Sequence, residues 1–189
     1  MEPGKTSPHL NFWANILLSL GFLTLFVFGY LMFQRNNPQK LSFNINEVTA
    51  FESLPVSNLK PVGIKIDSLN LALPITESEI KNNKWEASTK SVSHLKTSPI
   101  PGEKGNSILY GHNWPNLLGN LNKVKPGDKI SIIYNDNSIR SFEVEYSTKV
   151  SPEDSSILKA SEDNRITLYT CTGFLDSQRL VVVAKLLKV

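Results

Sequence analysis

Residues 12–33 form a long apolar run, FWANILLSLGFLTLFVFGYLMF, without a charged side chain. As an α-helix this run covers about 33 Å, enough to cross a hydrocarbon core of about 30 Å. Trp13 and Tyr30, near its two ends, suit the two interfaces of a bilayer. A core helix would be shorter and have a polar face, and a cleaved signal peptide would end in small residues, whereas this run continues into QRNNPQK. The pattern therefore predicts an uncleaved transmembrane anchor.

The segments around this run differ in character. Residues 1–11 are a short N-terminal tail, and residues 34–60 are polar, with scattered Asn, Ser and Pro, which predicts a tether. From residue 61 to residue 189 the sequence is rich in short β-like runs. The predicted strands are 63–66, 69–75, 107–110, 129–134, 138–146, 165–170 and 180–187. Ser151, followed by a proline and two acidic residues, predicts the start of a short helix.

The faces of these strands predict how they pack. Ile130, Ile132 and Tyr134 alternate on one face of their strand, and the Asn-Asp-Asn cluster after them predicts a turn into the next strand. The run LVVVA near the C-terminus is apolar on both faces, as expected of a strand that is covered on both sides. Short strands with turn signals between them predict an all-β domain, a closed or nearly closed barrel with one or two short helices.

Composition excludes several classes of function. The net charge is +3 without a run of Lys or Arg, which argues against nucleic acid as a partner. The single cysteine, Cys171, rules out an intramolecular disulfide and disfavours a cysteine-based zinc site. No concentrated acidic cluster indicates calcium. We therefore predict neither a metal site nor a cofactor.

Cys171 ends the predicted strand ITLYT and precedes Thr172-Gly173, where a strand of this kind should break. Because side chains alternate along a strand, Thr167, Tyr169 and Cys171 share one face. A lone cysteine is often a small buried hydrophobic residue. Its position at a strand end instead indicates a thiol at the mouth of the sheet.

Arg179 follows Cys171 after the seven-residue connection TGFLDSQ and opens the apolar strand. If the two strands pair as a hairpin, both side chains can reach one cleft. An arginine whose aliphatic stem lies along the surface is the alternative. Beside a thiol, a guanidinium would lower the thiol pKa and donate hydrogen bonds to an oxyanion that forms on a substrate carbonyl.

His112 lies in LYGHNW, after another β-like run, in a turn-like setting that predicts an exposed imidazole. A histidine in a loop is often incidental, but cysteine chemistry needs a proton carrier with a pKa near neutral. Of the two other histidines, His9 precedes the apolar run and His94, in SVSHLK, is the fallback. The residues alone thus propose a thiol, a proton carrier and an anion-stabilising group.

Several of these segments together resemble the sortase family. ITLYTC, with Arg179 in RLVVVA, looks like the sortase signature TLxTC followed by an arginine that opens the last strand. PGEKGNSILYGHN resembles the segment that carries the sortase histidine, LKPVGIKI resembles the opening strand, and NLNKVKPGDKI resembles the stretch between them. The resemblance covers roughly residues 60–188. Tyr169, at the variable position of the signature, is bulkier than expected.

This resemblance implies a closed barrel of about eight strands and a two-step transpeptidation. Cys171 would attack the carbonyl after a Thr-like residue in an LPxTG-like sorting signal and form a thioacyl enzyme, which an amine from a cell-wall precursor or a pilin Lys would resolve. His112 would move protons, Arg179 would hold the oxyanion, and Thr170 would contribute to the substrate groove.

Two other functions fit the same residues. The acyl enzyme could be hydrolysed, which would make the protein an exported cysteine protease, or the barrel could be a non-catalytic anchored module that binds a wall component. The chemistry favours an extracytoplasmic domain on a single-pass anchor. The flanking charges, with Lys5 before the run and Arg35 and Lys40 after it, mildly favour the opposite orientation.

Overall fold

The computed structural model describes residues 8–35, 38–43, 58–81 and 84–188, and the chain divides into two units, residues 1–37 and 38–189. In the first unit, helix α1 spans Pro8–Arg35. Its stretch Asn11–Gln34 has a mean hydropathy of 2.3 and no part of it is buried by protein, so its length and composition allow it to cross a bilayer. The helix expected over residues 12–33 is therefore present, as a candidate membrane span.

The second unit contains a closed β-barrel, which confirms the fold expected from the strand pattern. In barrel order the strands are β1, β2, β5, β6, β9, β10, β8 and β7, while β3 and β4 pair separately. Their bounds are β1 Pro61–Ile66, β2 Leu71–Ser78, β3 Ile80–Lys81, β4 Lys84–Trp85, β5 Val92–Leu95, β6 Gly105–Tyr110, β7 Lys129–Tyr134, β8 Ile139–Val150, β9 Asn164–Thr172 and β10 Gln178–Leu186.

The predicted turn between β7 and β8 forms as its sequence requires. Asn137 adopts a left-handed φ of 63°, which asparagine tolerates better than most residues. The backbone and side chain of Ser138 both donate to the Asp136 carboxylate, and Asn137 N–H donates to the Tyr134 carbonyl. These local bonds set the register in which Ile130, Ile132 and Tyr134 all point into the barrel.

Two hydrophobic clusters lie on opposite faces of the barrel wall. The barrel core fills the interior and is built mainly from aliphatic side chains of all the barrel strands. The outer cluster covers the opposite face of β9 and β10 with aromatic and aliphatic side chains from separate segments. Its buried members are Leu41, Phe43, Trp85, Leu95, Ile108, Tyr110, Leu158, Tyr169, Cys171, Val181 and Val183. Strand β10 is thus buried on both faces, as its apolar sequence predicted.

Several segments differ from expectation, and strands β3, β4 and β5 have no predicted counterpart. The short helix is a 3₁₀ turn at Ser155–Leu158 rather than one that starts at Ser151. Ser151 instead exchanges hydrogen bonds with Glu153, and the Asp154 carboxylate accepts from Ser156 N–H as the N-cap.

Part of the expected tether also packs on the barrel. Within residues 34–60, residues 44–57 lie outside the described residues, but residues 38–43 belong to the second unit. Leu41 and Phe43 are fully buried in the outer cluster. We call residues 38–43 the strap.

Candidate active site

The barrel order brings the three predicted site residues to neighbouring positions. Cys171 is directly opposite Arg179 in the antiparallel pairing of β9 with β10, so the predicted hairpin is confirmed. On the other side β9 runs parallel to β6, with Tyr169 opposite Tyr110, and the Gly111 backbone continues this pairing through a 3.3 Å bond to the Tyr169 carbonyl. His112 lies two residues beyond Tyr110 and Cys171 two residues beyond Tyr169, so both follow the last pair of this register in the same direction.

Thr170 fixes this alignment from the other face of β9. Its hydroxyl is fully buried and donates to the Gly111 carbonyl over 2.7 Å. Because Gly111 directly precedes His112, this bond ties the histidine backbone to the strand that carries the cysteine. A substrate contact by Thr170 stays a prediction.

His112 is buried, with 5% of its surface exposed, so the expectation of an exposed imidazole is wrong. The reason is Trp114, whose ring stacks on the imidazole with centroids 4.4 Å apart and planes within 10°. The turn is closed by two backbone bonds to the Trp114 carbonyl, from Leu117 and Gly119. A Cβ at Gly119 would lie 2.6 Å from that carbonyl oxygen, so glycine is needed there. Burial lowers the pKa of His112, and the charge of Asp176 opposes this shift.

Arg179 is also buried, and its guanidinium is held by backbone carbonyls. Nη1 donates to the carbonyls of Asp176 and Gln178, each over 3.0 Å, and Nη2 donates to the Ser42 carbonyl over 3.0 Å. Its Nε is buried and has no acceptor among the described residues. The guanidinium therefore has a spare donor in a fixed position beside Cys171.

The strap covers the thiol. Cys171 Sγ lies 3.3 Å from the Lys40 carbonyl and donates to it, and 5% of the residue is exposed. Burial raises the pKa of Cys171 to about 11, against the lowering effect of Arg179. In this arrangement the thiol is protonated and shielded, so a substrate carbonyl can reach it only after the strap moves.

The loop between β9 and β10 carries a second contact to the strap. Leu175 and Asp176 have left-handed φ values of 51° and 62°, unusual for residues other than glycine. Lys40 Nζ donates to the Leu175 carbonyl over 3.0 Å, while the ring of Phe174 is 82% exposed. The strap thus contacts both the cysteine strand and this loop.

His94, the fallback proton carrier, has a different environment. It is buried on β5, with Nε2 3.1 Å from the Pro99 carbonyl and Nδ1 without an acceptor or donor among the described residues. Its strand pairs it with Leu109, three positions before His112. These contacts tie His94 to the loop after β5, whereas His112 adjoins Cys171.

Sequence reasoning missed the strap, Trp114 and Asp176. Trp114 is visible two residues after His112, but nothing in the local pattern predicts that it stacks on the imidazole. No group of three or more His, Cys, Asp or Glu side chains that could hold a metal ion occurs within the described ranges.

The comparisons with known proteins identify the sortase family. The family model "Sortase domain" matches residues 64–187. Among solved structures the chain is similar to a lid mutant of sortase A from Corynebacterium diphtheriae, with 28% identity over 70% of this chain and 73% of that chain and a TM-score of 0.59. It is similar to sortase A from Listeria monocytogenes, with 27% identity, 68% and 88% coverage and a TM-score of 0.55.

A third similar structure is the Sortase D5 transpeptidase from Clostridium perfringens, with 25% identity, 68% of this chain and 79% of that chain covered and a TM-score of 0.58. No curated protein matches the sequence.

Proposed function

Because the chain belongs to the sortase family of cysteine transpeptidases, we propose that Cys171 is its nucleophile, His112 its proton carrier and Arg179 its oxyanion partner. The observation that supports this proposal is the pairing of three adjacent strands: Cys171 is opposite Arg179 on one side, and on the other side His112 follows two residues after Tyr110, which is paired with Tyr169. A thiol, a group that titrates near neutral pH and a fixed cation are the components that cysteine acyl transfer needs.

In the first step the Cys171 sulfur, its proton given up to His112, attacks the carbonyl carbon of the scissile peptide bond. The carbonyl oxygen takes up negative charge, and Arg179 donates hydrogen bonds to it. When the tetrahedral intermediate collapses, the C–N bond breaks and His112 gives its proton to the leaving amine. The product is a thioester between Cys171 and the acyl part of the substrate.

In the second step an incoming amine attacks this thioester. His112 takes a proton from the amine as the new C–N bond forms, and the C–S bond breaks to release the Cys171 thiolate, which takes this proton back from His112. The covalent intermediate divides one difficult amide exchange into two accessible steps. Thr170 contributes to the groove by holding the backbone before His112 in register with Cys171.

The substrate is a protein with an LPxTG-like sorting signal, and the acceptor is an amine of a cell-wall precursor or a pilin Lys. The enzyme acts at the membrane, anchored by α1, with its barrel on the extracytoplasmic side. The length and hydropathy of α1 support the anchor, and the location of such acceptors outside the cytoplasm supports the orientation.

The strap is displaced before either step. As long as the Lys40 carbonyl accepts from the thiol and the Ser42 carbonyl accepts from Arg179 Nη2, the strap occupies the place beside the thiol and engages one guanidinium donor that a scissile carbonyl would use.

The test uses the full-length chain in detergent with an LPxTG-type peptide, and with hydroxylamine as the added amine. We expect a thioacyl adduct on Cys171 by mass spectrometry and conversion of the product to the hydroxamate. The variant Cys171→Ala should show neither. A product unchanged by the amine would indicate a protease, and activity that survives Cys171→Ala would refute the proposed enzyme.

A further inference from the structure

Three successive carbonyls of the strap each receive a hydrogen bond from the face of β9 and β10 beneath it, which we call the groove. The last turn of a helix leaves its carbonyls without partners, and the 3₁₀ turn of the strap, Pro38–Leu41, ends just here. The Lys40 carbonyl accepts from Cys171 over 3.3 Å, the Leu41 carbonyl from the Tyr169 hydroxyl over 3.2 Å, and the Ser42 carbonyl from Arg179 over 3.0 Å. The groove therefore presents a set of donors that bind main-chain carbonyls.

Two of these donors already have a part in the proposed reaction, and Tyr169 does not. It lies on the same face of β9 as Cys171, two residues earlier, which is roughly 7 Å along the strand. Tyr169 and Cys171 also share the outer cluster. A peptide bound at Cys171 would thus pass within reach of this hydroxyl.

The ring of Tyr169 is held rigidly. It stacks on Tyr110 with centroids 5.4 Å apart, and the rings of Trp85 and Phe43 meet it edge-on at 6.1 and 5.0 Å. Tyr110 is fixed in turn, because its hydroxyl donates to the Glu86 carbonyl over 2.5 Å and lies 2.9 Å from Ser78 Oγ. A donor held in this way needs no reordering when a ligand arrives.

The hydroxyl of Tyr169 also requires an acceptor. Burial holds its pKa well above the ordinary value, so the group keeps its proton. The one acceptor that the described residues give it is the Leu41 carbonyl, which leaves with the strap. A buried donor left without a partner is costly, and the indole nitrogen of Trp85 in the same cluster already has no acceptor among the described residues.

We propose that Tyr169 is a substrate-positioning residue whose hydroxyl donates a hydrogen bond to a main-chain carbonyl of the peptide substrate, in the place of the Leu41 carbonyl. This inference rests on the proposed function. The ring forms the wall of the groove, and the hydroxyl sets the depth at which the peptide lies relative to Cys171. Tyr169, the bulky residue at the variable position of the signature, thus has a role in substrate binding.

The experiment compares Tyr169→Phe with Tyr110→Phe, each in the full-length chain that also carries Leu41→Ala to loosen the strap. Both substitutions remove one hydroxyl from one of two stacked rings, but the Tyr110 hydroxyl bonds within the domain. With an LPxTG-type peptide and hydroxylamine, we expect Tyr169→Phe to raise KM about two- to tenfold, the usual effect of one hydrogen bond. Its kcat should change less than twofold, and Tyr110→Phe, which keeps the stacked ring and the Tyr169 hydroxyl, should raise KM less than Tyr169→Phe does.

Reduced-amide peptides, in which one carbonyl at a time becomes CH2, identify the acceptor. One such peptide should bind more weakly than the unmodified peptide to the parent chain, which carries Leu41→Ala alone. The substitution Tyr169→Phe should not weaken the binding of that peptide further. An unchanged KM for Tyr169→Phe, or additive losses with every peptide, would overturn the inference while leaving the transpeptidase intact. If the parent chain shows no cleavage that depends on Cys171, the proposed function fails and this inference fails with it.

Discussion

The two faces of the β9–β10 hairpin are built from the same strands but differ in composition and in how they are covered. The inner face, with Ile166, Leu168, Val182 and Ala184, joins a core of mainly aliphatic side chains that the barrel closes completely. The outer face carries Tyr169, Cys171 and Arg179 together with Val181 and Val183. Side chains from several separate segments cover it, among them the strap, which lies 128 or more residues earlier in the chain.

The difference lies in how each cover is attached. The inner face is covered by strands that are hydrogen-bonded to one another around a closed barrel, so it cannot be exposed without unfolding. The strap is attached by its side chains and by hydrogen bonds from the residues beneath it, each worth about 0.5–1.5 kcal/mol, or about 1.5–3 kcal/mol where the donor is the charged Arg179. We infer that the outer face can open while the inner face stays closed, which is what an enzyme with a buried nucleophile requires.

The largest effect should come from the outer face, in Arg179→Lys. The charge stays, so its influence on the thiol pKa is largely kept, but the planar fork of donors is lost. Removing one oxyanion donor typically costs 10²–10³-fold in kcat, and we expect a loss of that size in steady-state turnover of the sorting peptide. Leu180→Ile, the next position along β10, is the control and should retain activity within a few-fold. Full activity in Arg179→Lys would mean that a point charge suffices.

A matched pair of leucines compares the two covers directly. Leu168 and Leu41 are both fully buried, one in the barrel core and one in the strap. Leu168→Ala should lower the free energy of unfolding by about 2–5 kcal/mol. Leu41→Ala should affect the strap instead and speed the alkylation of Cys171 by iodoacetamide about tenfold or more, because 1.4 kcal/mol corresponds to a factor of ten in an equilibrium.

The alkylation rates can be assigned to Cys171 because it is the only cysteine in the sequence. Urea unfolding of the full chain in detergent, followed by near-ultraviolet circular dichroism, gives the stabilities. If Leu41→Ala destabilises the barrel as much as Leu168→Ala and leaves alkylation unchanged, the strap is an integral part of the fold and the two faces do not differ in the way proposed.

The sequence predicted the hairpin better than it predicted the surroundings of the thiol. Strand alternation and the short TGFLDSQ connection sufficed to place Cys171 opposite Arg179, because both are local properties. The position of His112 depends on the parallel pairing of β6 with β9, which brings together residues 59 positions apart and which no local pattern specifies. The packing of the strap is harder still to predict, since the alternation of Leu41 and Phe43 with polar residues is short and does not specify which part of the chain they cover.

The smallest effect concerns protonation. His112 can take up a proton, whereas the inner-face residues Ile166, Leu168, Val182 and Ala184 cannot. Burial lowers the pKa of His112 in the folded chain, below about 6.5 for an unfolded histidine. As the pH falls through that value, the unfolded chain takes up a proton that the folded chain resists. The free energy of unfolding should therefore decrease between pH 7.5 and 5.5, and above that window His112 contributes nothing.

Trp114→Ala should weaken this dependence, because it exposes the imidazole and returns its folded pKa towards the ordinary value. Trp114→Phe keeps a ring over the imidazole and should retain most of the dependence. His94 shifts in the same direction through burial, but it is unchanged in both variants and cancels in the comparison. Urea unfolding at the two pH values measures the difference. Equal pH dependence in both variants would show that the Trp114 stack does not set the pKa of His112.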